Sequence, residues 1–300
     1  MKKLLFILFT LSLISCSPKE DFYERGLAKY DLEDYNGAIT DYNKAIQLNP
    51  DYADAYYNRG LAKYDLEDYK GAITDYNKAI QLNPDDAEYY LGIGLAKYNL
   101  EDYNGAITDY NKAIQLNPDD ADAYNNRGLA KYDLQDTTGA IADYNKAIQL
   151  NPDYADAYYN RGLVKSVLKD FTGAIADCNK AIQLNPDYAD AYFGRGLAKF
   201  FLKDYTGAIA DYNKVIQLNP DDSNAYDGRG QAKTFLKDYT GAIDDYNKAI
   251  QLNPDDSNAY SCRGLVKLML KDKNGACEDW SKAGELGNSK AYILIKENCN

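Results

Sequence analysis

The 300-residue chain contains no histidine. Its absence removes the commonest general base, the serine–histidine pair of hydrolases and the imidazole ligands of many metal sites. Aspartate and glutamate remain as possible acids and bases, but they recur at fixed intervals along the chain, whereas a catalytic site would be expected only once. The sequence therefore predicts a protein that is not an enzyme and that has no metal and no cofactor.

Basic residues are also scarce. Lysine and arginine total 34 against 46 aspartates and glutamates, which gives a formal net charge of −12. Nucleic-acid binding depends on cationic side chains that neutralise phosphates. We therefore expect no nucleic-acid partner, and the acidity otherwise indicates only solubility.

Long apolar runs are missing, except near the first residue. Residues 4–14 form an eleven-residue apolar run after the basic start at residues 1–3. A helix that spans a bilayer needs about 20 residues, so a signal peptide covering residues 1–15 is predicted. Residues 13–16 (LISC) resemble the lipobox of bacterial lipoproteins. This resemblance implies lipidation of Cys16, for example by palmitate, and ordinary secretion with an incidental cysteine is the alternative.

The residues after the predicted cleavage point extend this expectation. Residues 16–18 would be the lipidated N-terminus and a short tether, which places the folded part close to the lipid bilayer. Residues 19–21 (KED) resemble the short signal that sends some Gram-negative lipoproteins to the cell surface. The other interpretation is that these acids favour the first turn of a helix. The expected location is the bacterial cell envelope, lipid-anchored, with the outer membrane or the cell surface favoured.

Proline is rare, and its placement shows how the chain is organised. Seven of the eight prolines are 34 residues apart, at Pro50, Pro84, Pro118, Pro152, Pro186, Pro220 and Pro254. A fixed period between 20 and 50 residues is typical of solenoids and repeat arrays. This period takes precedence over the two domains that a length of 300 residues would suggest.

One copy of the repeat, residues 53–86, contains two apolar patterns of helical spacing separated by a break. Asp68 lies in the break and can accept hydrogen bonds from the N–H groups that begin the second helix. Pro84 cannot continue that helix and holds Asn83 out of the helical region. Ordering 34 residues costs roughly 50 kcal/mol, at about 1.5 kcal/mol for each residue. One helical hairpin is therefore not stable alone, and the copies must stack.

The unit resembles the tetratricopeptide repeat, a 34-residue helix–turn–helix with a terminal proline. The resemblance is carried by Tyr56, Arg59, Gly60, Ala72, Tyr76, Ala79 and Pro84. Tyr56, Arg59 and Lys63 depart from that motif, which prefers tryptophan, leucine and tyrosine at these positions. The resemblance implies an all-α fold: a right-handed superhelical α-solenoid of about eight 34-residue repeats with a C-terminal capping helix.

The copies are predicted at residues 19–52, 53–86, 87–120, 121–154, 155–188, 189–222 and 223–256, with a degenerate copy at 257–288. In the degenerate copy, Gly287 and Asn288 replace the Asn-Pro pair, and Trp280 replaces a recurring tyrosine. Residues 289–300 add one more helical pattern. Terminal units of a solenoid need a more polar outer face, so this segment is predicted to be the capping helix.

An arginine recurs in the first helix and an aspartate in the second. The arginines are Arg25, Arg59, Arg127, Arg161, Arg195, Arg229 and Arg263, and only Ile93 interrupts the series. A charge at a position that is otherwise typical of the core favours an ion pair, for example between Arg59 and Asp75, across the hairpin or to a neighbouring copy. The alternative is two solvated charges, with Asp75 paired to Lys78 on its own helix.

Differences between the copies concentrate on one face of the first helix. We call this face the first-helix stripe, and in the second copy it consists of Asp54, Tyr57, Leu61, Tyr64 and Asp65. Counted from Asp54, the others follow after three, seven, ten and eleven residues, which places them on a single face. Further members in other copies are Asp122, Tyr132, Tyr159, Phe193, Phe200, Phe201, Phe235, Leu268 and Met269. Early copies thus offer acids and tyrosines, and later copies offer apolar side chains.

In tetratricopeptide arrays the matching face lines the concave groove that holds ligands. The resemblance therefore implies a protein or peptide partner, with basic or hydroxyl groups towards the early copies and apolar anchors towards Phe200. The alternative is that these aromatic rings pack between neighbouring copies as core. The leading function is a non-enzymatic interaction scaffold of the bacterial cell envelope. The other is a structural or accessory envelope lipoprotein that acts through its convex or end surfaces in outer-membrane complex assembly.

Cys277 and Cys299 lie at equal distances from the turn near residue 288. In an antiparallel hairpin their Cα atoms could come within the range of a disulfide, and an exported protein meets an oxidising compartment. The alternative is two independent buried thiols, which suits Cys178 and Cys262 better. Cys178 stands at the position of the recurring core tyrosine.

Overall fold

The structure is a computed structural model that describes residues 18–299, and seventeen α-helices follow one another along this range. The first helices of the hairpins are α1 (Pro18–Asp31), α3 (Ala53–Asp65), α5 (Ala87–Asn99), α7 (Ala121–Asp133), α9 (Ala155–Val167), α11 (Ala189–Phe201), α13 (Ser223–Phe235) and α15 (Ser257–Met269). The second helices are α2 (Tyr35–Leu48), α4 (Tyr69–Leu82), α6 (Tyr103–Leu116), α8 (Thr137–Leu150), α10 (Phe171–Leu184), α12 (Tyr205–Leu218), α14 (Tyr239–Leu252) and α16 (Lys273–Glu285). The last helix is α17 (Ser289–Asn298). The predicted all-α fold of helix–turn–helix repeats is confirmed.

The predicted signal peptide and Cys16 lie outside the described residues, so lipidation stays a prediction. Within residues 18–299, every helix is either too short or too polar to cross a bilayer.

The start and the end of each second helix follow from single residues. In the second copy, Asp68 Oδ1 accepts the N–H of Gly71 at 3.0 Å, which is the predicted N-cap. A Cβ on Gly71 would press on the Asp68 carboxylate, so a larger residue here would require that side chain to shift. At the other end Asn83 is extended, with φ −140° and ψ 94°, as the following Pro84 requires.

The turn between the two helices contains a left-handed residue that is not glycine. In the second copy Glu67 has φ 62°, and its N–H donates to the carbonyl of Tyr64 at 2.8 Å. The N–H of Asp68 donates to the carbonyl of Lys63 at 2.9 Å, which closes the last turn of the first helix. The equivalent residues are Glu33, Glu101, Gln135, Lys169, Lys203, Lys237 and Lys271. Because no glycine marks these positions, the sequence does not reveal the left-handed turn.

A tyrosine from the second helix fills the space between the helices of a hairpin. Tyr76 is fully buried and packs with Ala72 and with Ile93 of the next copy. A Cβ on Gly60 would lie 2.5 Å from the Tyr76 ring, which explains the glycine in the first helix. The core therefore continues from one hairpin into the next, as expected for copies that are not stable alone.

The described chain forms two compact units, which meet in sequence between Asp136 and Thr137. The first contains α1 to α7 and the second α8 to α17. The constant 34-residue period contains no signal for this division. Thr137 stands where α2, α4 and α6 begin with tyrosine.

Within each unit the order of packing follows the chain. A first helix packs on its own second helix, and that second helix packs on the next first helix. Consecutive first helices also meet directly, as α3 and α5 do in the first unit and α11 and α13 in the second. In the part of the chain that the structure describes, consecutive second helices of one unit do not make direct contacts of this extent with each other. The first helices are therefore closer together than the second helices.

Candidate functional site

The recurring arginines and aspartates form a buried ladder. Arg59 Nε donates to Asp75 Oδ2 at 2.8 Å, and Arg59 Nη1 donates to Asn43 Oδ1 of the preceding copy at 2.5 Å. Lys63 Nζ lies 2.8 Å from the same carboxylate. The predicted cross-helix pair is confirmed, and the bond to Asn43 also joins two hairpins. Equivalent pairs are Arg161–Asp177, Arg195–Asp211, Arg229–Asp245 and Arg263–Asp279. These charges stabilise the scaffold.

The third copy lacks the arginine of this ladder, since Ile93 replaces it. Asp109 is paired with Lys97, whose Nζ lies 2.6 Å from Asp109 Oδ2. Burial raises the pKa of Asp109, and the neighbouring Lys97 opposes that shift. This rung of the ladder therefore has a lysine and an isoleucine where the other pairs named above have a lysine and an arginine.

In the first unit, acids and tyrosines of the first-helix stripe bond to one another across consecutive first helices. The Tyr30 hydroxyl donates to Asp65 of the next copy. Asn99 Nδ2 donates to the Tyr64 hydroxyl at 2.8 Å. These predicted groove residues therefore hold neighbouring copies together, and their polar atoms are engaged with each other.

The N-terminal part of the stripe is arranged similarly. The Tyr89 hydroxyl donates to Asp54 Oδ1 at 3.3 Å. The Tyr57 ring lies 5.6 Å from Tyr76 and 5.1 Å from Tyr89, between centroids. Burial raises the pKa of Tyr57. Asp122 is exposed in the first turn of α7, where its charge suits the helix N-terminus.

In the second unit some predicted groove residues are part of the packing between the two helices of a hairpin. The half-buried members are Tyr159, Phe193, Phe200 and Leu268, and in the first unit Leu61 and Tyr132 are similarly half-buried. The Phe193 ring lies 5.6 Å from the buried Tyr212, and the Phe200 ring lies 5.4 Å from Tyr205. Truncating Phe193 would therefore cost stability as well as any binding contact.

Other predicted groove residues of the second unit are open to solvent. Phe201, Phe235 and Met269 are 54%, 58% and 54% exposed. Phe201 stacks on Phe171 at 5.0 Å between centroids, so its ring is held in place while one face stays accessible. Rigid exposed aromatic side chains are typical of binding hot spots.

The seventh copy differs most along this face. Gln231 stands where the seven other copies have leucine, and Thr234 stands where five copies have tyrosine or phenylalanine. Asp227 aligns with Tyr57 and Phe193. No other copy is polar at all three positions, and these residues were not among those predicted from the sequence. Comparison of the copies position by position is the signal that would have found them.

Two cavities flank α13 where these smaller or polar residues stand. One, of about 200 Å³, is lined by Phe193, Leu197, Phe200, Tyr212, Asp227 and Gln231, among others. The other, of about 350 Å³, includes Gln231, Thr234, Phe235, Tyr246, Leu265 and Met269. The two share Gln231 and thus lie side by side.

Asp227 is an unusual carboxylate within this site. Its Oδ2 accepts from Gln231 Nε2 at 2.6 Å. Its Oδ1 is shielded from solvent and has no hydrogen-bond partner within residues 18–299. Burial raises the pKa of Asp227 to about 6, the charge of Asp256 adds to the shift, and the bond from Gln231 opposes it. The site therefore holds a carboxylate that is poorly compensated by the protein.

The cysteines divide into one close pair and two thiols. Cys277 and Cys299 have their sulfur atoms 2.01 Å apart and their Cα atoms 5.9 Å apart, which is the geometry of a disulfide. Burial raises the pKa of the Cys178 and Cys262 thiols to about 12 each. Neither thiol is therefore a reactive nucleophile near neutral pH. No cluster of metal-ligating side chains occurs among the residues that the structure describes.

Stacked α-hairpins of constant length, joined by side chains of neighbouring copies, define a helical-repeat protein. A family model described as tetratricopeptide repeat matches residues 155–188 and 189–222. A second, described as TPR repeat, matches residues 26–66, 60–100, 97–135, 128–166 and 236–271. These matches cover more than half of the chain, which belongs to the tetratricopeptide repeat family. Such repeats generally mediate protein–protein interactions, and proteins built from them are typically not enzymes.

Solved structures with this fold are similar at low sequence identity. The Cut9–Hcn1 hetero-tetramer of APC/C is matched at 18% identity and a TM-score of 0.67, over 89% of this chain and 53% of that chain. This chain thus spans about half the length of that relative. A tetratricopeptide repeat protein from Parabacteroides merdae is 22% identical with a TM-score of 0.55, over 95% and 100% of the two chains. YrrB, described as a TPR protein with an unusual peptide-binding site, is 22% identical with a TM-score of 0.54, over 63% and 97%. No curated protein matches this chain significantly.

Proposed function

We propose that this chain is a non-enzymatic scaffold of the bacterial cell envelope that binds a segment of a partner protein along its first-helix stripe. The observation that carries the proposal is the seventh copy, where two adjacent cavities lie side by side and the exposed ring of Phe235 lines the larger one. Concave, mostly apolar sites with a few polar groups are typical of binding sites.

Two further points support this proposal. The scaffold charges are already paired with each other, so the departures in α13 are not needed for the ladder. Peptide binding is also named for YrrB, a protein of the same fold. In the first unit, polar side chains of the first-helix stripe are already hydrogen-bonded between copies. We therefore place the main contact with the partner segment on the second unit.

The envelope location depends on the sequence around Cys16. The apolar run, the lipobox-like tetrapeptide and the cysteine directly after it support a lipid anchor in a bilayer. An anchored repeat domain would hold its partner at the membrane surface.

A peptide selection with a matched pair of variants tests the binding function. Peptides selected on the full chain are titrated against Leu197→Glu, which places a charge on an exposed leucine beside the smaller cavity. The control is Gln183→Glu on the exposed face of the second helix α10. We expect Leu197→Glu to weaken binding at least tenfold and the control to leave it unchanged. Equal affinities for both variants would contradict the proposal.

A second function is favoured by one edge of the second unit, which consists of the turns inside its hairpins. These turns expose an apolar pair followed by lysine, in residues 167–169, 201–203, 235–237 and 269–271. The same turns of the first unit have acids, such as Asp65 and Glu67. This edge would suit a protein surface with apolar and acidic side chains, as in the accessory role in outer-membrane complex assembly. The triple variant Leu168→Ser, Leu202→Ser and Leu236→Ser should then abolish assembly of that complex and still bind the selected peptide.

A further inference from the structure

The smaller cavity combines aromatic walls with one carboxylate. Phe193, Phe200 and Tyr212 line it together with Asp227. The faces of aromatic rings attract cations, and recognition of ammonium groups by aromatic cages depends on this attraction. A carboxylate beside such rings adds a full negative charge. The chemistry of the walls therefore favours a cation.

Within residues 18–299, no basic side chain lines this cavity, and Lys237 lines the larger cavity next to it. The titratable groups that interact with Asp227 are Tyr212, Tyr246, Cys262 and Asp256. The first three are neutral near pH 7 and the fourth is an acid, so none compensates the carboxylate. Elsewhere in the fold, by contrast, a buried aspartate such as Asp245 has both an arginine and a lysine within 3 Å.

The size of the cavity limits the ligand. A volume of about 200 Å³ is below the roughly 300–1,000 Å³ of sites for whole small molecules. It suits a single side chain. The larger cavity next to it has apolar walls, including Leu265 and Met269, and can hold a second, apolar side chain.

We propose that the cavity at Asp227 binds the lysine or arginine side chain of the partner segment, and that the adjacent cavity binds an apolar side chain close to it. This inference rests on the proposed function and specifies the chemistry of the segment. It places the basic anchor in the seventh copy, where Asp227 replaces the aromatic ring of the sixth.

The test uses two defined peptides, Ac-Phe-Gly-Lys-Gly-Phe-NH2 and its norleucine counterpart, titrated into the full chain by NMR at pH 7.5. Norleucine keeps the apolar stem of lysine and lacks the charge. We expect the lysine peptide to bind at least tenfold more tightly, and Asp227→Asn to reduce this ratio to about one. Asp190→Asn, which removes an exposed acid from α11, is the matched control and should keep the ratio.

The outcomes separate this inference from the proposed function. Equal binding of the two peptides to the wild type, or a ratio that survives Asp227→Asn, would overturn the basic anchor. If the selected peptides still respond to Leu197→Glu in that case, the binding function stands. If they do not, both proposals fail. A melting curve of Asp227→Asn verifies that the variant is folded.

Discussion

At the scale of single residues, the charges of the arginine–aspartate ladder stabilise the fold, whereas we assign the charge of Asp227 to binding. Arg161 donates from Nε to Asp177 at 2.9 Å and from Nη1 to Asn145 at 2.6 Å. Breaking a buried pair leaves an uncompensated carboxylate. We expect Arg161→Ala to lower the free energy of unfolding by about 2 kcal/mol, since Lys165 still faces Asp177.

Urea denaturation of the full chain measures this effect. The control is Arg25→Ala, because the Arg25 side chain is 50% exposed and lies 3.4 Å from Asp41. A half-exposed pair of this kind is worth about 0.5 kcal/mol. A cost for Arg161→Ala as small as that of the control would contradict the ladder.

Asp227 gives a pH-dependent prediction. Its pKa is raised in the folded state, to about 6 from an ordinary 3.8, so the folded chain binds the proton more tightly than the unfolded chain. The contribution of Asp227 to stability is therefore most favourable below about pH 4, becomes less favourable as the pH rises towards about 6, and is constant above. Asp227→Asn removes this loss. We expect the variant to be more stable than the wild type by on the order of 2 kcal/mol at pH 7.

The difference should shrink as the pH falls to 4 and disappear near pH 3, where the carboxyl is mostly protonated in both the folded and the unfolded chain. Thermal melts of both proteins at pH 4, 5.5 and 7 show whether the stability difference between them grows as the pH rises. A stability difference that does not change with pH would show that Asp227 is not the group that titrates.

Which residues can be predicted depends on whether they recur. The cap at Asp68 and the Arg59–Asp75 pair repeat in nearly every copy, and each depends on neighbours at fixed spacing, so the sequence is sufficient. Asp227 occurs once. Its environment is created by the rings of the preceding copy and by Asp256, which caps α15, and the helix periodicity of one copy contains no information about them.

At the scale of the helical elements, the turn inside each hairpin has a conformational cost. Lys169, Lys203, Lys237 and Lys271 are left-handed, with φ between 63° and 65°. A side chain in this region costs roughly 1–2 kcal/mol, part of which glycine would lose again through its greater freedom in the unfolded chain. Glycine at all four positions should raise the free energy of unfolding by about 2 kcal/mol in total.

The control for this variant is Ala210→Gly, at an exposed position within α12. Glycine costs about 1 kcal/mol inside a helix. Denaturant midpoints of the two variants should therefore move in opposite directions. Movement of both to lower denaturant would contradict the left-handed turn.

The last hairpin gives a second prediction for an element. The Cys277–Cys299 pair closes a loop of 22 residues around the turn at Gly287 and joins α16 to α17. A loop of this length corresponds to about 3 kcal/mol of stabilisation in the chain-entropy account. We expect mass spectrometry of non-reduced peptides to find the two cysteines linked.

Reduction should act locally, since α17 packs on α16 and a solenoid transmits contacts only between neighbours. Hydrogen exchange should speed up in α16 and α17 and stay slow in α9 to α12. Free thiols in the non-reduced protein would contradict the bridge.

At the scale of the whole molecule, the period predicts the hairpins but not the division of the chain into two units. The 34-residue period continues past Thr137 without a change, so it contains no signal for this division. The change in the stripe was visible in the sequence as apolar residues in later copies. The sequence does not show that Phe193 and Phe200 pack against the second helix of their own hairpin while Phe201 and Phe235 remain exposed. Adjacent residues on one helix differ in burial only once their neighbours are placed.

The anchor is a prediction for the whole molecule. Lipid chains on Cys16 would hold the chain at a membrane, since each buried methylene contributes about 0.8 kcal/mol and stable anchoring requires more than one chain. We expect Cys16→Ser to move the protein from the membrane fraction to the soluble fraction when cells are fractionated. A variant that stays wholly in the membrane fraction would contradict anchoring through this residue.

The central claim is that a partner segment lies along the first-helix stripe of the second unit. The most direct measurement is photo-crosslinking of the full chain with a selected peptide that contains benzoylphenylalanine, followed by mapping of the adducts by mass spectrometry. The account predicts adducts on stripe residues of α11, α13 and α15, such as Phe201, Phe235 and Met269. Adducts confined to the second helices α10, α12 and α14 would contradict it.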